Sequence, residues 1–151
     1  VGVYLPAIFQ KFAAIYLPKS LIGQLALTAK LQRFLLKVRL VEQFGVEGLS
    51  KAAHHIIPLE ALKRVPEIMR KAARGGFDLN GVNNGILLRA GSVLDDTVEH
   101  FGSHPKYNDA VIEALKSIRL SQTPKQVAKE VQGVSDLFRR SIEDSTFLPI
   151  F

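Results

Sequence analysis

All four histidines of this 151-residue chain fall into two tight groups. One is the doublet His54-His55, inside Ala52-Ala53-His54-His55-Ile56-Ile57-Pro58-Leu59. The other is His100-Phe101-Gly102-Ser103-His104, a pair separated by three residues. Imidazole is the commonest protein metal ligand and the side chain best suited to proton transfer near neutral pH. Two clusters rather than four scattered rings point to one composite site, with metal ligands and a general base brought together by the fold. The plainer alternative is that some of these rings are partly buried polar residues satisfied by hydrogen bonds. The chain has no cysteine, which removes disulfides and thiolate ligands. Any metal must therefore be held by imidazole, carboxylate or carbonyl groups.

Holding two distant segments around one site requires a folded core, and the bulk properties allow it. A chain of this length makes one domain, and its 47% apolar content is normal to slightly high for a globular protein. The net charge of +6 favours anionic partners, nucleic acid first, with an anionic membrane or an acidic protein behind it. The excess is uneven: residues 1–50 carry six Lys/Arg against Glu42 and Glu47, and Lys63, Arg64, Arg70, Lys71 and Arg74 are opposed only by Glu67. The opening run Val1–Pro18 is apolar, but Gln10, Lys11, Pro6 and Pro18 break it. It is too short to span a bilayer and lacks the flanks of a signal peptide. A start at Val1, with Met69 the sole methionine, reads as a processed product or a domain of a longer protein.

The elements that would carry the histidines can be drawn from pattern. Residues 20–44 read as one long amphipathic helix capped by Ser20, with Leu21, Leu25, Leu31, Leu35, Val38 and Val41 on its apolar stripe. Lys30, Arg33 and Lys37 form a second stripe, read as a solvated face or, more sharply, as phosphate contacts. Ile56-Ile57-Pro58 reads as a short extended segment, because Pro58 disfavours helix at Ile57. Residues 59–74 are helical, broken before Pro66 and stopped at Gly75-Gly76. Turn signals at Asp78–Gly81 and Asn83–Gly85 precede a short strand, Ile86-Leu87-Leu88. Ser103 caps a helix running to about Leu120, with His104 in its first turn, and Thr123 caps a last helix buried along Val127, Val131, Val134 and Phe138. The apolar tail Phe147–Phe151 is expected to fold back on the body. The expected organisation is a single domain: residues 1–50 a basic helical region packing on the core, 51–120 the central unit, and 121–151 the C-terminal helix and tail.

This order of elements resembles the ββα-metal arrangement of HNH endonucleases, and is closest to the AHH branch of the HNH/endonuclease VII superfamily, carried here by Ala53-His54-His55. His54-His55-Ile56-Ile57-Pro58-Leu59 is similar to the Asp-His-Ile-Ile-Pro-Leu run of HNH proteins. Phe77-Asp78-Leu79-Asn80 and Asn84-Gly85-Ile86-Leu87-Leu88 resemble the central segment. His100-x-Gly102-Ser103-His104-Pro105-x-Tyr107-Asn108 resembles the closing one. The resemblance covers about residues 50–120. It implies a mostly helical α+β fold in which helices surround a compact HNH-like ββα-metal centre. One departure is Arg89, which stands in Leu88-Arg89-Ala90 where family members often carry Pro.

The resemblance also implies roles. His54 takes a metal-ligand position and His55 that of the general base, as adjacent residues on an extended chain point to opposite sides. His104 is the helix-borne ligand. His100 is a third ligand, a loop-shaping residue or a phosphate contact. Asn84 matches the central position that braces the loop or fixes the imidazole, and Asn80 and Asn83 compete with it for that register. Tyr107 and Asn108 support from behind. Lys30, Arg33, Lys37 and Arg89 are the expected substrate contacts. The cofactor is one divalent ion, with Mg, Mn, Zn and Ni all open. The implied activity is metal-dependent hydrolysis of nucleic acid, DNA before RNA. The implied setting is a bacterial toxin module, secreted or injected as part of a larger protein, acting in the target-cell cytoplasm and met by a cognate, acidic immunity protein. One rival is a non-catalytic nucleic-acid-binding module whose four histidines close a structural metal site. A more distant one is a membrane-active toxin.

Overall fold

The structure, a computed structural model, describes residues 18–88 and 105–144. Arg89, His100, the Ser103 cap, His104, the apolar opening run and the C-terminal tail lie outside the described residues. In chain order the elements are α1 (Leu21–Gln24), α2 (Ala29–Phe44), a 3-10 turn Val46–Ser50, β1 (Ala52–His55), α3 (Ala61–Arg64) and α4 (Pro66–Arg74). A second 3-10 turn Val82–Asn84, β2 (Gly85–Leu88), α5 (Pro105–Lys116) and α6 (Pro124–Glu143) follow. The class is α+β, mostly helical, with one small two-stranded antiparallel sheet.

The expected single helix over 20–44 is in fact two. Ser20 caps α1, but the chain breaks and restarts at Thr28, whose hydroxyl accepts from Leu31 N at 3.2 Å. Such a cap stabilises a helix by about 1 kcal/mol. The break is compensated from within α2: the Gln32 side-chain amide donates to Leu27 O at 2.9 Å and Leu25 O at 3.4 Å, carbonyls that a continuous helix would have used itself. The restart also rotates the buried face, so that Gln32 is buried and Leu31 only partly so. Gly45, at φ +100°, ends α2 in a conformation that other residues rarely adopt.

The remaining helices follow the pattern read from sequence with two differences: α5 ends at Lys116 rather than near Leu120, and in α6 Ser135 is buried where Val134 is only partly so. Pro66 occupies the first turn of α4, which stops at Gly75, and Thr123 caps α6 in a reciprocal capping box with Gln126. The first strand sits slightly earlier than expected, ending at His55; Ile56 continues by donating to Asn84 O at 2.8 Å.

The sheet separates two layers. His55 pairs with Gly85 and His54 with Ile86, so each pair shares a face. A Cβ on Gly85 would lie 2.6 Å from Leu36 Cδ1 and 3.0 Å from Leu40 Cδ1, which places α2 directly over the His55–Gly85 face. Ile86 and Leu88, on the opposite face, pack with the main core of Ile56, Ile57, Met69, Tyr107, Val111, Ile112, Val127 and Phe138. The two adjacent histidines therefore serve different layers: His55 the α2 side, His54 the side of α5.

Candidate active site

β1 presents the doublet because Ala52 and Ala53 leave room for neighbours while the strand alternates its side chains. As whole residues both histidines are half-buried, and the His55 ring is the more enclosed part of its residue. His55 Nε2 lies 2.7 Å from Asn80 Oδ1. Asn80 is itself buried, and its amide nitrogen donates to Gln32 Oε1 at 3.2 Å. The loop bearing Asn80 is held twice more. Asp78 Oδ1 accepts from Asn80 N at 3.0 Å, and Arg39 of α2 donates to Asp78 Oδ2 at 2.9 Å and to Asn80 O at 3.1 Å.

Burial pushes the His55 pKa down to about 4, against the opposing pull of the Asn80 hydrogen bond, and the positive charge of Arg33 acts in the same direction as burial. The ring is neutral at pH 7, the state a general base requires. A stability test follows. Unfolded, His55 titrates at its ordinary 6.5, so between about 4 and 6.5 the unfolded chain binds more protons. Its contribution is complete above the upper value and is lost as pH falls through the window. It amounts to roughly 3 kcal/mol. Urea unfolding of metal-free protein should show a steeper acid loss for wild type than for His55→Ala, and parallel profiles would refute the buried neutral ring.

The imidazole contact and the loop brace belong to two different asparagines. Asn84 is fully buried; its Oδ1 accepts from Ile57 N and Ser135 Oγ, both at 2.8 Å, and its Nδ2 donates to Ile57 O at 3.1 Å and Leu79 O at 3.0 Å. Asn80 is the one that touches His55. Asn83 is exposed and lends only its carbonyl, to Gln132, Ser135 and Arg139 of α6. Arg139 also donates to Val82 O and Gly85 O, so α6 clamps the entry to β2.

Tyr107 ties the later helix to the doublet strand. Its hydroxyl donates to Ile56 O at 2.6 Å, and its ring meets Phe138 edge-on at 5.7 Å. Burial raises its pKa, keeping the hydroxyl protonated as a donor. The first turn of α5, which in the chain follows directly on His104, is thus fastened beside the residue after His55. Asn108 is buried in the same turn.

Of the expected basic stripe, Lys30 and Arg33 are exposed, and Arg33 is near enough to His55 to act on its charge. Lys37 differs: its ammonium reaches Lys51 O, at the entry to β1. Gln32 and Arg39 carried no sign in the charge or motif reading. The available signal was an amide at helical spacing from Leu35 and Leu36, on a face otherwise apolar.

Among the described residues no group of three His, Asp or Glu is placed to hold a metal. Of the expected ligands His54 alone is described. A half-buried imidazole on the α5 side of β1 fits a divalent ion as a neutral nitrogen donor, and His55, turned to the other face, does not compete for it. Two surface grooves among the described residues, one along Arg39, Asp78 and Gln132 and one along Phe77, Lys125 and Lys129, include neither histidine of the doublet. No helix among the described residues is long and apolar enough to cross a membrane.

Two short antiparallel strands and a helix fastened to them, with imidazoles on both faces of the first strand, define a small strand-strand-helix centre on a mostly helical body. A family model described as "AHH: a nuclease family of the HNH/ENDO VII superfamily with conserved AHH" matches residues 41–140, and the chain belongs to this family. It is accordingly a nuclease, acting on nucleic acid, of a superfamily that generally uses a divalent metal. Neither the curated proteins nor the solved structures include a significant match to the chain.

Proposed function

We propose that the chain is a metal-dependent endonuclease that hydrolyses phosphodiester bonds, DNA before RNA, with His55 as general base. The observation that carries this reading is the setting of His55: anchored through Nε2 to Asn80, in surroundings whose burial favours the neutral ring, and within the electrostatic reach of the exposed cation Arg33. With Nε2 engaged, Nδ1 is the ring nitrogen left to take a proton from the attacking water. Arg33 and Lys30 attract and seat the phosphate backbone over that ring. His54 and His104, with His100 as a third candidate, would hold the divalent ion. When bound, the ion supplies Lewis-acid stabilisation of the phosphate and of the leaving oxygen. Asn84 acts at the loop, keeping β1 and β2 in register, and Arg89 is a further candidate phosphate contact.

Plasmid nicking by the purified protein with Mg, Mn, Zn or Ni tests the reading. Cleavage should stop in excess EDTA, and His54→Ala should weaken divalent-ion affinity in a titration. Undiminished cutting in the chelator would refute metal dependence, whereas tight DNA binding without nicking would favour the rival binding module. The same assay on RNA decides the substrate preference.

Charge reversal at Lys30 and Arg33 together should reduce the slope of log binding constant against log salt by about 2, one counterion contribution for each lost phosphate contact. An unchanged slope would return these side chains to solvent. The basic balance of +6 also supports the remaining part of the proposal. In that part the chain is a toxin module of a larger secreted or injected protein, acts in a target-cell cytoplasm and is neutralised by an acidic immunity protein. Co-expression with such a partner should relieve growth arrest and suppress nicking; arrest that ignores nuclease inactivation would overturn it.

A further inference from the structure

The matched family segment begins at residue 41, yet the side chain that governs the base's support stands before it. Gln32 and Asn80 are both buried, at 2% and 1% exposure, so their amides must find protein partners. The resulting chain of hydrogen bonds has a direction. Leu25 O and Leu27 O can only accept, so the group facing them must be the Gln32 NH2. That turns Gln32 Oε1 toward Asn80, where it accepts from Nδ2. Asn80 is then left with Oδ1 facing His55, an oxygen that can only accept. His55 Nε2 must carry the proton, and the lone pair of the neutral ring stands on Nδ1.

We propose that Gln32 is a positioning residue of the nuclease centre: through Asn80 it holds the His55 ring in the Nε2–H tautomer, which leaves the lone pair on Nδ1 to act as the base. The break between α1 and α2 has a use in this arrangement, since it frees the two carbonyls that set the direction of the relay. Arg39 reinforces it from the same helix by holding Asp78 and the Asn80 carbonyl. Helix α2 up to residue 40 is then part of the machinery, outside the family segment though it lies. The inference rests on His55 being the base, but its first test does not.

Nitrogen-15 spectra of the metal-free full chain near pH 7, with His55 assigned from the His55→Ala variant, read the tautomer without substrate. A protonated-type Nε2 and an unprotonated-type Nδ1 are expected; a proton on Nδ1 would overturn the proposal, whatever His55→Ala does to cleavage. Gln32→Met removes the direction of the relay and lets the Asn80 amide turn over. The expected result is a mixture of tautomers and a kcat lower by about tenfold or more, with KM for DNA little changed. Adding Asn80→Asp, whose carboxylate only accepts, should restore the single tautomer and most of kcat. A single Nε2–H tautomer with full kcat in Gln32→Met would refute the role of Gln32. If that variant fails to fold, the wild-type spectrum still decides.

Discussion

His55→Ala should lower the rate of phosphodiester cleavage by about 10²- to 10⁴-fold, the range a positioned general base contributes, while divalent-ion binding and DNA affinity should stay close to wild type. The separation follows from the sheet register. His55 shares its face with Gly85 and looks toward α2, whereas His54 shares its face with Ile86 and looks toward α5. Deleting the His55 ring therefore removes the base without removing the proposed ligand. It also removes a buried imidazole whose protonation is disfavoured, so the variant should lose less stability than wild type as pH falls. Single-turnover nicking with saturating metal gives the rate, and a direct ion titration gives the binding. Near-normal turnover in this variant would remove His55 from the chemistry. Loss of metal binding in parallel would mean that both rings of the doublet are ligands.

The second large effect is on stability. Asn84→Ala should cost about 3–5 kcal/mol, because it strands the buried amide and carbonyl of Ile57 and the carbonyl of Leu79. Each unpaired buried group costs about 1–3 kcal/mol. Ser135 is spared part of the loss, since its hydroxyl also reaches Asn83 O at 3.3 Å. Against a typical total of about 5–15 kcal/mol this is severe, and in a chain of this size it corresponds to a fall in Tm of about 10 °C. Asn83→Ala is the natural control: its side chain is exposed and makes no hydrogen bond among the described residues, and its change should stay within about 0.5 kcal/mol. A wild-type Tm in Asn84→Ala would deny that it braces the strands. If cleavage were lost at unchanged Tm, the residue would belong to the chemistry instead.

These two asparagines show how far a linear reading reaches. Asn80, Asn83 and Asn84 all lie within one short, turn-rich stretch, and nothing in their spacing ranks them. Their roles depend on which way each points once the loop is closed. Arg139, Ser135 and Gln132 of α6 close it from one side, and Arg39 and Gln32 of α2 from the other. Those partners are 40 to 60 positions away, and those on α2 lie on a helix whose charge pattern suggested a solvated face or phosphate contacts but no link to the loop. The break at Thr28 was equally hidden. Leu25, Leu31 and Leu35 keep helical spacing across it, and the cost of two freed carbonyls is offset by a side chain further along.

Local chemistry was enough to mark β1 and β2, the caps at Ser20 and Thr123, and the stop at Gly75, and it singled out the doublet as the centre of the proposed site. Each depends on neighbours a few residues apart, through strand alternation, first-turn hydrogen bonds and proline geometry. It also carried the family, through ordered blocks that a residue pattern can hold by itself. Long-range packing settled different matters: which layer each histidine of the doublet faces, which asparagine meets the His55 imidazole, that Lys37 is drawn to β1 while Arg33 stays exposed, and how a residue before the family segment comes to support His55 through Asn80. Such choices arise because a buried polar atom must be paired wherever the chain happens to bring a partner, and the position of that partner is a property of the packed molecule rather than of the order of residues.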